Sequence, residues 1–574
     1  MDSYREAARK RLQQARGNND SNIYIQPKST PNSIGLEDLW TNISEYRDDE
    51  SVLENLLVTE ASLRDWKAEK QDGDQNTANT ILQWATTVIS PSENLAGTWD
   101  EFQLADEAQR TSIISKYREQ RSKSTVGLRL ISHLESIISF EEIETLGDIL
   151  PVLSIFSSPK DPWTTDEGAQ TANALLEKCE SNVRHKQDYF SAVIENILRR
   201  RVKPAFSKTK TPAITPAGRK NVHPVPQPSF DPTLFDPGSK PWKFKEGYIV
   251  SILRWIIHRY RATDYNMIER HFPLLVPPIL SFIDDESLAF KAEGCKLLQD
   301  LLRPLKEAKS DILRRTNLDS VFQDALSHCL LSIPTVTPEK ESVHLLSFAY
   351  PAIFSVIRTR FSSVTSRQRG TKGQLPTKEM AELEKDNKLR ISNLMHILRH
   401  NIISSYLHTS SPRPAEDTSI SSYPHPYLST LLLRQLAEAI NELEIEATKY
   451  LQDIVPLLTS TLTNPFGVAY VPLLITAAQC YHSVILNCWP RLSRWRGDIL
   501  AGVCACWLHL CDDEEDGMSF SDEGPPDRVH LRLILQRLVK LLKVVVGTDE
   551  VVNIDAELQT LVDSDDRLRK LLIL

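Results

Sequence analysis

The stretch Leu275-Val276-Pro277-Pro278-Ile279-Leu280-Ser281-Phe282-Ile283-Asp284-Asp285-Glu286-Ser287-Leu288-Ala289-Phe290-Lys291-Ala292-Glu293-Gly294-Cys295-Lys296-Leu297-Leu298 decides the fold. On both sides of its acidic break, apolar residues return at three- and four-residue steps, which predicts two amphipathic helices joined by a tight turn. Asp284 or Asp285 is placed to cap the free N–H groups of the second helix, whose positive dipole end favours a carboxylate. Lys291 is in position to pair with the turn acid of its own or a neighbouring unit. Gly294 removes a side chain where the two helices approach.

The same signature, a Pro after an aliphatic pair followed by apolar residues at helical spacing, recurs on both sides. It is present in Ile149-Leu150-Pro151-Val152-Leu153-Ser154-Ile155-Phe156 and in Ile454-Val455-Pro456-Leu457-Leu458-Thr459-Ser460-Thr461. The unit resembles a HEAT repeat: a helix containing Pro, an acidic turn, then a helix opening with a basic and a small residue. Such hairpins cannot bury their apolar faces alone, so they stack and share a core. The expected fold is all-α, an α-solenoid of HEAT-like helical hairpins.

Residues 1–17 read as a short charged helix and 18–34 as a polar loop. Helical spacing continues to Lys203, as in the stripe Leu128, Ile131, Leu134, Ile137 and Ile138. Pro204, Pro212, Pro216, Pro224, Pro226, Pro228, Pro232 and Pro237 then exclude any helix or central strand, and predict an exposed, partly extended linker. The expected organisation is an irregular N-terminal helical region over 1–203, a Pro-rich linker over 204–241 and a C-terminal HEAT-like solenoid over 242–574. Breaks are expected at Ser362–Thr377, Thr409–Pro426 and the acidic loop Asp512–Asp527. No sustained period-two alternation bounded by hairpin turns appears, which argues against a sizeable sheet.

Composition agrees. Only 19 of 574 residues are Gly, too few for folds built on phosphate loops and barrel corners. A net charge of −9 is the wrong sign for a nucleic-acid binder. Cys179, Cys295, Cys329, Cys480, Cys488, Cys504, Cys506 and Cys511 lie mostly in apolar helical patterns, as reduced buried thiols do. The polar start MDSYREAARKRLQQAR has no signal-peptide core, and no run is read as approaching an uncharged membrane span. The expectation is a soluble intracellular protein, cytoplasmic and nuclear, that binds neither membrane nor nucleic acid.

Catalytic signatures are missing. There is no phosphate-binding G-x-x-x-x-G-K-[ST], no strand-anchored G-x-G-x-x-G and no G-x-S-x-G elbow. His258-Arg259-Tyr260 only superficially resembles a kinase catalytic loop. Cys504, Cys506, His509 and Cys511 carry zinc-ligand chemistry, but positions two apart on a helix point about 200° from each other, so core packing is the reading. His396 and His400 fall one turn apart with Ile397 where a zinc protease needs Glu, which reads as a plain helix face. No enzyme activity, cofactor or metal is expected.

The cations Arg199, Arg200, Arg201 and Lys203, with Lys208, Lys210, Arg219 and Lys220 beyond, complement a helix C-terminus; an import signal or acidic-partner patch is the alternative. Thr211-Pro212 and Thr215-Pro216 fit proline-directed phosphorylation. Asp512 to Asp516, with Ser519 and Ser521, reads as a solvated acidic loop. Asp563-Ser564-Asp565-Asp566 reads as a helix N-cap, capped by Asp563 or Ser564, or as a phospho-acidic docking motif. Trp489, Arg491, Trp495 and Arg496 crowd a turn between helices, and aromatic and Arg anchors are what dominate protein interfaces. These four are the candidate partner contacts; stacking of Arg on Trp inside the fold is the alternative.

The segments Lys240-Pro241-Trp242-Lys243-Phe244-Lys245, Leu253-Arg254-Trp255-Ile256, Ile283 to Leu298, Ala325 to Pro334 and Asn487 to Arg496 are similar to the second, smaller Tti subunit family of the TTT co-chaperone complex. The resemblance runs from Lys240 to about Trp507 and not into the first 200 residues. It implies a HEAT-type scaffold that binds the large Tti subunit and, with the Tel subunit, helps mature phosphatidylinositol-3-kinase-related kinases alongside Hsp90. In that family the phospho-acidic motif belongs chiefly to the Tel subunit. A nuclear transport carrier or adaptor, also an acidic solenoid, is the alternative class.

Overall fold

The structure, a computed structural model, describes residues 2–18, 23–25, 35–45, 51–64, 66, 74–92, 95, 106–138, 140, 143–184, 186–209, 212–222, 238–362, 377–410, 424–516, 526–547 and 552–573. Among them every extended element is helical, and pairing between strands is reduced to one isolated bridge, Ile214 to Lys220. The fold is all-α. The chain forms two compact units, Met1–Val321 and Phe322–Leu574. The division does not coincide with the Pro-rich segment 204–241.

In the first unit the main helices are α1 (Asp2–Asn18), α2 (Leu36–Glu45), α3 (Val52–Arg64), α4 (Asp74–Ile89), α5 (Glu107–Ile137), α6 (Ile143–Ile155), α7 (Asp166–Val183), α8 (Gln187–Ile197), α9 (Ile249–Arg259), α10 (Tyr265–Ile283) and α11 (Leu288–Glu307). Packing skips alternate helices: α1 on α3, α3 on α5, α5 on α7, with α2 on α4 and α6 on α8. The charged helix α1 is tied down by its buried Arg5, which donates to Asn42 Oδ1 at 2.6 Å and to Glu54 Oε1 and Asn55 Oδ1 at 3.1 Å. The long α5 starts with a capping box in which Asp106 and Gln109 satisfy each other's backbone N–H groups.

The deciding stretch folds as the hairpin α10–α11, with Pro273, Pro277 and Pro278 inside the first helix. Pro151 in α6 occupies the equivalent place. Asp285, 1 % exposed, sits in the turn and accepts from the Ser287 N–H at 2.9 Å; Ser287 is itself the N-cap position of α11, so the carboxylate braces the turn and does not cap the free N–H groups of the helix as expected. Its charge is met not by Lys291 but by Lys240 Nζ and Lys243 Nζ, each at 2.8 Å. Burial alone would push this carboxyl up; hydrogen bonds from the two lysines hold it below its usual value. Between the lysines, the buried Trp242 stacks on Phe206 at 5.4 Å and meets Phe282 and Phe290 edge-on at 5.1 and 5.2 Å. The Lys240–Lys245 motif is therefore a fastening of the chain onto the hairpin.

The described parts of the Pro-rich segment also pack. Ile214 is buried, the Gly218 backbone turns at φ +69° against Pro273, and Lys220 Nζ donates to Ser320 at 2.8 Å. Prolines remove helix hydrogen bonds but leave apolar side chains free to anchor. Thr215 Oγ1 accepts from the Arg219 N–H inside this turn. Lys210 and Thr211 lie outside the described residues.

His271, 0 % exposed on α10, lies with Nδ1 2.9 Å from the Tyr260 hydroxyl and Nε2 3.3 Å from the Ser191 hydroxyl. Burial holds its pKa down to about 4. Because the folded value lies below the unfolded one of about 6.5, its contribution is intact above pH 6.5 and is lost as pH falls towards 4. The expected loss is about 2–3 kcal/mol across that window. Urea titrations at several pH values check it: His271→Gln removes most of the slope, and an equal slope in both proteins refutes the assignment.

The second unit contains α12 (Glu339–Arg360), α13 (Thr377–His396), which runs through a π-helical turn (Ile397–Ile403) into α14 (Ser404–Ser410), α15 (Pro426–Leu443), α16 (Leu451–Leu462), α17 (Val471–Asn487), α18 (Arg496–Asp516), α19 (Pro526–Val546) and α20 (Ile554–Ser564). Here α15 packs on α17 and α17 on α19, while α16 packs on α18, again alternately. Pro456 lies within α16, so all three Pro-marked segments are helices. Residues 363–376 and 411–423 of the two expected breaks fall outside the described residues.

One sequence reading needs correction. Pro465–Asn487 spans 23 residues at mean hydropathy 1.4, long and apolar enough by composition to cross a membrane. In the structure its α17 portion is a core helix, with Leu473, Leu474, Ala477, Ala478, Tyr481 and Val484 buried between α15 and α19. A helix apolar on all sides is what a doubly covered layer requires.

Candidate partner-binding surface

Cys488 and Leu492 are fully buried and pin a 3₁₀ turn, Trp489–Trp495, between α17 and α18. With those anchors inside, Trp489 is left 58 % exposed and Arg491 and Arg494 face outward. Leu486, just before the turn, is also exposed. Trp495 is half-buried.

Arg496 stands apart from the other three. It holds Glu557 of α20 through Nη2 at 2.7 Å and Nε at 3.0 Å, and donates to the Ser493 carbonyl at 2.5 Å. That hydrogen bonding keeps the Glu557 carboxyl below its usual range. The pair is an internal clamp of α18 to α20. Beside it runs a groove of about 360 Å³ lined by Gly497, Leu500, Ala501, Cys504, Thr560 and Leu561. Arg496→Ala is expected to cost about 1 kcal/mol, as a well-formed but part-exposed pair does, seen as a small fall in melting temperature. An unchanged melt contradicts the clamp.

The motif Asp563–Asp566 straddles a helix end. Ser564 closes α20 and donates to the Thr560 carbonyl at 2.9 Å; Asp563 accepts from Gln559 at 2.8 Å. The cap of the following turn is Asp565, not Asp563 or Ser564, and it accepts from the Arg567 N–H at 3.0 Å. Arg567 pairs with Asp565 at 2.9 Å and with Asp512 at 2.7 Å, which lowers the Asp565 pKa and raises that of Arg567. Asp566 pairs with Arg569 at 2.7 Å.

The expected acidic loop is also redrawn, because Asp512 to Asp516 belong to the C-terminal end of α18. Acids there oppose the helix dipole, and cations answer them: Asp513 pairs with Arg528 at 2.5 Å and Glu514 with Arg532 at 2.6 Å. Ser519 and Ser521 lie outside the described residues. Arg532 also covers the Trp507 ring at 4.7 Å.

Cys504 and Cys506 are buried, their thiols pushed up to about 11 and about 12 by desolvation. Cys511 is half-buried, with Arg532 Nη2 3.9 Å from its sulfur. Among the described residues no three His, Cys, Asp or Glu side chains are grouped to hold a metal ion. His396 and His400 are exposed with ring centroids 4.7 Å apart. Arg199 and Arg201 pair with Glu195 and Asp148 at 2.7 and 3.2 Å.

No curated protein matches the chain. Among solved structures, the crystal structure of SYS-1 aligns at 10 % identity and a TM-score of 0.27, covering 94 % of this chain and 98 % of that one. The Tti2 family model matches residues 149–469. The match reaches into the first 200 residues, further than the motifs indicated, and stops short of the Trp489–Arg496 turn. With more than half of its length matched, this chain belongs to the Tti2 family.

Proposed function

We propose that this chain is a non-enzymatic scaffold subunit of a TTT-type co-chaperone complex. In this reading it binds the large Tti subunit, joins the Tel subunit through it, and supports maturation of phosphatidylinositol-3-kinase-related kinases with Hsp90 in cytoplasm and nucleus. The observation that carries the reading is the Tti2 family match over residues 149–469. It is supported by the packing, in which many helices meet the next but one within their own unit and α10 pairs with α11 as a hairpin, as stacked HEAT-like units do. Trp489 and Arg491 are its partner anchors, being an exposed indole and an outward guanidinium with no ion pair among the described residues.

Affinity purification of the tagged chain from cells, read by mass spectrometry, tests this. Recovery of both companion subunits is expected. Their absence from a well-folded preparation overturns the proposal.

A further inference from the structure

In the second unit, the helix α13 with its π-helical turn and the 3₁₀ turn Glu444–Tyr450 enclose an open cavity of about 560 Å³. Lys388, His396, Arg399, His400 and Lys449 line it, with Glu446 the one carboxylate among the lining residues. Lys388 is paired with Glu384 at 2.8 Å and Lys449 with Glu446 at 2.6 Å. Among the described residues the Arg399 guanidinium has no ion-pair partner, and the two imidazoles contact only each other, at 4.7 Å between ring centroids.

The local backbone explains the concentration. Ile397, Leu398, Ile402 and Ile403 take the buried face through the π turn, which leaves His396, Arg399 and His400 together on the open side. π turns of this kind often mark functional sites. In a chain of net charge −9, a cavity lined by three permanent cations and two imidazoles runs against the global balance. Ile391 and Met395 add an apolar stretch to the lining, and Ser392 and Tyr450 add hydroxyls.

We propose that this cavity docks a phosphorylated acidic polypeptide segment. Arg399 receives the phosphoryl oxygens as a bidentate fork, the imidazoles and Lys449 donate to them, and Ile391 and Met395 carry the neighbouring side chains of the peptide. The mixture of donors with an apolar stretch favours a peptide over a bare polyanion, which needs charge alone. The surface is distinct from the Trp489 turn.

Fluorescence anisotropy of the full chain with a short fluorescein-labelled acidic peptide carrying one phosphoserine tests it. Saturable binding is expected, weakened at least tenfold by Arg399→Glu and severalfold by His396→Gln with His400→Gln. Lys540→Glu, on the exposed side of α19, leaves it unchanged. Arg399→Glu keeps the wild-type melting temperature because that exposed side chain makes no ion pair among the described residues. No binding by the wild type, binding indifferent to Arg399→Glu, or Arg399-dependent binding of a single-stranded oligonucleotide but not the peptide each overturns the proposal.

Discussion

Asp285→Ala is expected to destabilise the first unit by about 3–5 kcal/mol, because it strands two ammonium groups in a buried site. Asp285 accepts from Lys240, Lys243 and the Ser287 N–H at once, and with side chains only 12 % and 9 % exposed the two lysines recover little hydration without it. The loss spreads beyond the ion pairs. Trp242 lies between the two lysines in sequence and against Phe206, Phe282 and Phe290 in space, so releasing them loosens the aromatic cluster. Urea unfolding followed by near-ultraviolet dichroism reads both effects. A compensated variant, Asp285→Leu with Lys240→Met and Lys243→Met, is expected to recover much of the stability, since a buried triad replaced by apolar groups costs little. Lys291→Ala, which leaves this site alone, serves as control. Wild-type stability in Asp285→Ala contradicts the arrangement.

Gly294→Val is expected to cost about 3–4 kcal/mol, and Gly294→Ala about 2. A Cβ at this position of α11 meets Phe282 Cβ at 2.8 Å and, at 2.9 Å, both Ile283 Cγ1 and the Ile283 backbone nitrogen. Backbone does not swing aside as a side-chain tip does, so α10 and α11 must separate, with loss of packing around Phe282, Ile283 and Leu298. The sign is the informative part. In a helix free of such contact, Gly→Ala gains close to 1 kcal/mol. Chemical denaturation of the alanine variant therefore decides between a close helix approach and an ordinary helical glycine.

These two residues also mark what the sequence discloses. The Pro-bearing helix, the acidic turn and Gly294 all read correctly because their effects act within one hairpin, where spacing alone fixes the neighbours. What spacing cannot supply is the far partner. Lys291 was the nearest cation to the turn, yet Lys240 and Lys243, more than 40 residues upstream, hold the acid. The internal partner of Arg496, Glu557, lies 61 positions away on α20. The same blindness turned a C-terminal helix end, Asp512 to Asp516, into a loop: without Arg528, Arg532 and Arg567 in view, adjacent acids argue against helix. For α17, the reading that no run approaches a membrane span passed over Pro465–Asn487, whose apolarity is accounted for by the two helices that cover it. Of the four candidate contacts, Trp489 and Arg491 are the exposed ones, a distinction that depends on which way a 3₁₀ turn faces.

Isothermal titration of the purified chain against the large Tti subunit tests most directly the proposal that the Trp489 turn grips another helical subunit. Tight one-to-one binding is expected for the wild type, with at least tenfold loss in Trp489→Ala combined with Arg491→Glu and no change in their melting behaviour. Undiminished binding by that double variant contradicts the assigned surface, and absence of binding by the wild type contradicts the scaffold itself.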